Sequence, residues 1–232
     1  MAWRNKLSSS DTPPPFDNTP NALLVTASYD LTIRLWQLST GKSIGTIQHN
    51  EGQVNAMSLT STGRDLAVGA WQRVRIYDVS SGKDPKATIE LPKNVTVVGF
   101  ETDLFISTMS GHVWIWDVVN HMFMRLPMPD DLKIQEYVHR LAVHPSGKKL
   151  TGVTNKGRLL CWDLMTRQVE SHSFDMFKSP IVPIEQDTAT YIFTGGNDNQ
   201  VKIWDVINSK KVAQWDGHVK PLTAMCMNGP SP

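Results

Sequence analysis

The chain has 232 residues, 40% of them hydrophobic, with 23 basic against 22 acidic side chains and a formal charge of +1 at neutral pH. That length can bury a large core, while the balanced charge provides no global field to attract nucleic acid or an anionic membrane. No stretch approaches the ~18 consecutive apolar residues of a membrane span, and two cysteines, Cys161 and Cys226, are too few for a disulfide framework and fit a reducing, cytoplasmic setting.

Residues 1–20 carry Ser8-Ser9-Ser10 and Pro13-Pro14-Pro15 and no apolar run of signal-peptide length, so they read as a disordered leader. A repeat then begins. Five times a β-branched run closes on an aromatic and usually an Asp: Trp36-Gln37, Tyr77-Asp78, Trp116-Asp117, Trp162-Asp163 and Trp204-Asp205. Successive aromatics are 41, 39, 46 and 42 residues apart, the period of the WD repeat with its four strands per blade. The expected fold is all-β, a WD-repeat β-propeller over residues 21–228, with 229–232 as a tail.

In chain order the first runs are Ala22 to Ser28, Leu31 to Leu38 and Lys42 to His49, after which Gln53 to Leu59 opens a new repeat. The first blade therefore lacks its innermost strand. Four sets of four strands follow, ending in Val201 to Val206 and Lys211 to Asp216; after Gly217-His218 one run, Pro221 to Met227, is left over. Assigned to the first blade, it gives twenty strands and five complete blades, closed by strands from both ends of the chain. The physical motive is that an unpaired strand edge exposes backbone donors and acceptors.

In WD repeats a His before the innermost strand, a Ser or Thr of the second strand, an Asp in the next turn and the Trp of the third strand form a hydrogen-bonded chain, useful only when fully satisfied. Ser28, Asp30 and Trp36 supply three members in blade one, and His218 is expected to supply the fourth. Elsewhere the pattern thins. Ser110 and Lys156 stand at the Asp place in blades three and four, and blade five keeps Asp198 but has Gly196 where the hydroxyl is expected and Ser179 near the usual His. Packing is expected to hold those blades.

The segment Leu24 to His49, LVTASYDLTIRLWQLSTGKSIGTIQH, followed by Gln53-Val54-Asn55 and by RVRIYD at Arg73 to Asp78, resembles the WD-repeat, G-protein-β-like subunit of the target-of-rapamycin kinase complexes. Val98-Gly99-Phe100 falls in the same register, and the resemblance returns at Tyr191 to His218, after thinning between Asp103 and Phe177. Members of that family have seven blades. This chain looks like a shortened or diverged member, as though two blades between roughly Ser173 and Pro180 were missing, and Ser179-Pro180-Ile181-Val182-Pro183 replaces a family tryptophan pair.

The resemblance implies a non-catalytic scaffold that binds the C-terminal lobe of the kinase domain and holds it competent, within both complexes that couple growth to nutrients. Carried over by position, the expected partner contacts are rim-turn residues: Gln53 first, with Asn55, Tyr29, and Trp71 with Gln72 before RVRIYD. Asp30 and Asn55 also suit structural roles in a blade network and a turn. Trp71, placed in water by its turn, suits an interface anchor. Trp114 and Trp116, two apart on one strand, face one side and suit blade packing.

No cofactor or metal is expected. His139 and His144 lie five apart, on opposite faces of a strand, and no phosphate loop or Gly-x-Ser-x-Gly elbow occurs. Glu51, Glu136, Glu185 and Asp187 sit where repeats have polar turns, which leaves carboxylate catalysis without support beyond composition. The competing binding role is a generic WD adaptor, as in a ubiquitin ligase or a chromatin complex, which an F-box or a basic rim would mark; the sequence displays neither. If the two ends of the chain close blade one, deleting Pro221 to Pro232 sharply lowers the melting temperature; an unchanged melt refutes closure.

Overall fold

The β-branched and aromatic runs become nineteen strands, and no helix occurs among the described residues. The structure, a computed structural model, describes residues 23–222 and 225 apart from positions 39, 51, 61, 81–83, 101, 145, 174–180, 187–188, 196–197 and 209. The first sheet holds β1 (Leu23–Ala27), β2 (Thr32–Gln37) and β3 (Lys42–Gln48). The second holds β4 (Ala56–Leu59), β5 (Asp65–Gly69), β6 (Arg73–Asp78) and β7 (Ala87–Glu90). The third holds β8 (Val95–Phe100), β9 (Leu104–Thr108), β10 (Val113–Asp117) and β11 (Met122–Arg125). The fourth holds β12 (Val138–Val143), β13 (Lys149–Thr154), β14 (Arg158–Asp163) and β15 (Val169–Ser173), and the fifth β16 (Ile181–Gln186), β17 (Ala189–Gly195), β18 (Val201–Asp205) and β19 (Lys210–Trp215). Every neighbouring pair is antiparallel. The expected leader, the tail and most of the run 221–227 lie outside the described residues.

The core is a series of layers between successive sheets. Ile33 and Ile47 meet Leu66, Val68 and Tyr77 between the first and second sheets; Ala67, Val74 and Ile76 meet Val98, Phe100 and Ile106 between the second and third. Phe105 and Ile115 meet Val138, Leu160 and Trp162 between the third and fourth, and Val153 and Leu159 meet Ile192 and Val206 between the fourth and fifth. Burying a Leu, Ile or Phe contributes about 1.5–3 kcal/mol, so these layers hold the sheets in chain order.

An antiparallel meander sends its odd and even turns to opposite rims. On one rim lie the β1–β2 turn of the first sheet and the turns between second and third strands of the other four, and each contains a residue in the left-handed region: Leu31 (φ 65°), Gln72 (54°), Gly111 (83°), Gly157 (85°) and Asn199 (67°). The segments joining one sheet to the next emerge on the same rim. On the other rim the Asp of the aromatic-Asp pair caps its own turn. Asp117 accepts from the Val119 and Asn120 amides, Asp163 from Met165 and Thr166, and Asp78 from Ser80. Hydrogen bonds to the ionised form hold these three carboxyls below the usual range, those from Ser80 being foremost at Asp78, where Lys86 at 3.1 Å adds to the effect.

The blade-one network differs from the sequence expectation. The Trp36 indole donates to Thr26 Oγ1 at 2.8 Å, not to Ser28. The register gives the reason: Trp36 faces Leu24, so Thr26, two residues on, is its diagonal neighbour on the same face. Ser28 lies past the strand end, where its hydroxyl accepts from the Asp30 amide, and Asp30 in turn accepts from the Thr32 amide and hydroxyl. His218 is exposed and forms no hydrogen bond among the described residues. The fifth sheet repeats the true geometry, Trp204 donating to Thr194 Oγ1 at 2.9 Å, so the hydroxyl sought at Gly196 stands two residues earlier.

The other sheets anchor the same aromatic differently. Tyr77 Oη meets His49 Nδ1 at 3.2 Å, and Trp162, its ring over the bare Cα of Gly152, donates to the Pro127 carbonyl at 2.7 Å. Ile106 takes the diagonal place beside Trp116, whose indole N–H is buried without an acceptor among the described residues.

Thr26→Val leaves the Trp36 indole unpartnered and lowers stability by about 1–2 kcal/mol in denaturant titrations, whereas Ser28→Ala in a turn costs less than half of that. The Asp turn caps carry depressed folded-state values, so their stabilisation is complete above the unperturbed Asp value of about 3.9 and is lost as pH falls through the lower folded value. Accordingly, the melting-temperature gap between wild type and Asp163→Ala is widest above about pH 5 and closes in acid.

Candidate functional site

The rim that carries the left-handed turns gathers several of the residues singled out in the sequence. Gln53 and Asn55, on the segment from β3 to β4, and Trp71, in the turn between β5 and β6, line one hollow of about 330 Å³ together with Gly52 and Asn94. Trp71 is 62% exposed. Its turn is closed by the Ala70 amide donating to the Arg73 carbonyl, and Gln72, at φ 54°, turns the backbone while its own carbonyl accepts from Leu91. Gln72 does not line the hollow. Tyr29, 75% exposed, stands on the corresponding turn of the first sheet, on the same rim but outside it.

Asn55 has a structural task as well. A bulge between Val95 and Val97 interrupts the β8–β9 ladder, and the Val95 carbonyl is taken up by Asn55 Nδ2 at 3.2 Å. One sheet further on, the bulge between Val138 and Arg140 offers the Val138 carbonyl to Thr96 and Ser107, at 2.8 and 3.1 Å. The structural role of Asn55 is thus not the cap of its own turn but a bond from the second sheet to the third.

A second hollow, of about 370 Å³, is lined by the 109–112 turn and by residues of the segment from Met128 to Glu136. A hydrogen bond links their walls, the Met109 amide donating to the Asn94 carbonyl at 2.9 Å. Gly111 permits the fit: at φ 83°, a Cβ on it would lie 2.7 Å from the Glu136 carbonyl oxygen. Glu136, 4% exposed, accepts from Thr154 Oγ1 at 2.8 Å and from the Lys133 amide at 3.0 Å, and pairs with Arg158 at 3.4 Å. Arg158 also holds Asp131 at 2.6 Å, which keeps that carboxyl below the usual range. The sequence named Glu136 only as a turn carboxylate; its Thr and Arg partners are 18 and more residues away, a distance no local pattern reveals.

The polar groups here are arranged to bind and brace. Ser110 Oγ lies 2.9 Å from His112 Nδ1, but Arg125 Nη1 approaches Nε2 at 3.2 Å. A cationic donor at Nε2 leaves Nδ1 to carry the ring proton toward Ser110, the wrong tautomer to deprotonate a nucleophile. Burial, then Arg125, lowers the His112 value. Burial pushes the Cys161 thiol up to about 11, well away from a reactive thiolate; Cys226 lies outside the described residues. Among the described residues no group of three His, Cys, Asp or Glu is placed to hold a metal, and no helix is long and apolar enough to cross a membrane.

Residues 186–205 match the WD domain, G-beta repeat family. The chain is 28% identical over 219 residues to the target of rapamycin complex subunit wat1 of Schizosaccharomyces pombe, covering 88% of this chain and 67% of the relative. It is 35% identical over 136 residues to the target of rapamycin complex subunit LST8 of Saccharomyces cerevisiae, covering 56% of this chain and 43% of the relative. Against LST8 of Bos taurus it is 27% identical over 194 residues, 79% of this chain and 57% of the relative. The resemblance carried by the first hundred residues and the last sheet thus extends across most of the sequence, and the chain is similar to subunits of the target-of-rapamycin complexes, with a WD repeat matched in its last sheet.

Proposed function

We propose that this chain is a non-catalytic, cytoplasmic scaffold that docks on the kinase domain of a target-of-rapamycin complex through the rim bearing Trp71, with Gln53 as the first polar contact and Asn55, Gln72 and Tyr29 around it. The observation that carries the reading is the convergence of Gln53, Asn55 and the 62% exposed Trp71 on one hollow from two separate segments. An exposed aromatic held on a closed turn beside carboxamides is the composition of a protein-contact anchor. A scaffold of this kind stabilises the active kinase by binding it better than the inactive one.

The same proposal includes a five-bladed ring closed in blade one by the segment that follows Gly217-His218. What supports it is a repeated contact. A Cβ on Gly69, the last residue of β5, would meet Val95 at 2.6 Å, at the start of the next inner strand; a Cβ on Gly195, the last residue of β17, would meet Leu222 at 2.8 Å. Leu222 thus stands to the fifth sheet as an inner strand's first residue stands to the sheet before it.

The test is capture of purified target-of-rapamycin kinase domain by the tagged chain, beside Gln53→Glu and Trp71→Ala, with circular dichroism melts confirming the fold of each. Capture by wild type that drops about tenfold or more in both variants supports rim docking. A folded wild type that captures no kinase overturns it.

A further inference from the structure

We propose that the rim over the second to fourth sheets recognises an acidic protein segment studded with apolar side chains. The inference deepens the rim-docking reading and rests on it for the partner's class. Trp71 lines the first hollow, and Met109, 50% exposed, and Ile134, 91% exposed, line the second, with the Met109 amide bonded to the Asn94 carbonyl of the first. Apolar side chains this exposed are stable in water only as isolated residues or as part of a contact surface, and here three line two hollows whose walls are linked by a hydrogen bond.

The charge around them that is not taken up in ion pairs is mainly positive, Glu90 being paired with Arg73 at 3.2 Å. Lys93 and Lys133 are exposed, flank Asn94 and Ile134 in sequence, and form no ion pair among the described residues. The local carboxylates are already committed: Asp131 to Arg158 at 2.6 Å, and Glu136, buried, to Arg158 and Thr154. Asp130 is the exposed carboxylate left on this segment, against both lysines and Arg125, which leans on His112. Carboxylates on an approaching segment would find cations waiting, which speeds and orients encounter, while its apolar side chains bury against Trp71, Met109 and Ile134. A nucleic acid fits less well, because two lysines neutralise too few phosphates and neither Met109 nor Ile134 offers a stacking face.

The experiment titrates the full chain into three fluorescein-labelled probes: a peptide of about twelve residues alternating Glu and Leu, the same peptide with Lys for Glu, and an oligothymidylate of equal charge, read by anisotropy. The expected result is binding of the Glu peptide alone, weakened about tenfold or more by K93E/K133E and by W71A, and falling as ionic strength rises from about 0.05 to about 0.5 M. Equal binding of the Lys peptide, tighter binding of the oligonucleotide, no binding of the Glu peptide, or indifference to K93E/K133E overturns the inference. Kinase capture is scored separately. Capture unaffected by K93E/K133E leaves the docking reading standing and the acidic segment refuted; Glu-peptide binding at these residues without kinase capture does the reverse.

Discussion

The second, third and fourth sheets each have a neighbouring sheet on both faces. In an antiparallel meander exposed to water on one side, residues alternate between buried and polar; here β5 and β9 bury nearly every residue, because their two faces enter two successive core layers. Leu104 and Ile106 pack toward the second sheet and Phe105 toward the fourth. The outer strands β3, β11 and β19 are largely exposed. From this constraint follows the rest of the architecture: sheets stacked in chain order, apolar layers between them, and all variable chemistry displaced to the turns.

Polar groups inside such a stack must find partners across the layers. The bulges in β8 and β12 interrupt their ladders, and side chains of the preceding sheets, Asn55 in one case and Thr96 with Ser107 in the other, take up the released carbonyls. The repeated aromatic of each sheet is anchored by a threonine diagonally across the ladder, by a histidine or a backbone carbonyl from another segment, or by packing alone. Four solutions to one problem explain why the repeat remains legible through its period and its turn-capping Asp while its hydrogen-bond pattern drifts.

The rim derives its exposure from the same geometry. Sheet-to-sheet segments and the left-handed turns emerge together, so residues about forty apart in sequence become neighbours, as Asn55 and Val95 do. Gly111 and the segment ending at Glu136 interlock closely enough that a single added Cβ would not fit. A surface assembled this way is braced from within, Arg158 holding both Asp131 and Glu136.

The sequence by itself determined the strand class, the repeat and its period, because β-branched alternation and turn residues act locally and recur. It also placed Trp71 in water, since a two-residue turn between strands has nowhere else to put it. Tertiary structure alone decided which hydroxyl serves Trp36: Ser28 and Thr26 differ by one pleat repeat, and only the register, fixed by packing against the second sheet, sets Thr26 diagonal to the indole. It likewise decided that Asn55 bonds to Val95, that Glu136 is buried against Thr154 and Arg158, and that Gln53 and Trp71 share a hollow that Gln72 does not line. Those contacts join residues far apart in the chain, and their geometry exists only once the sheets have packed.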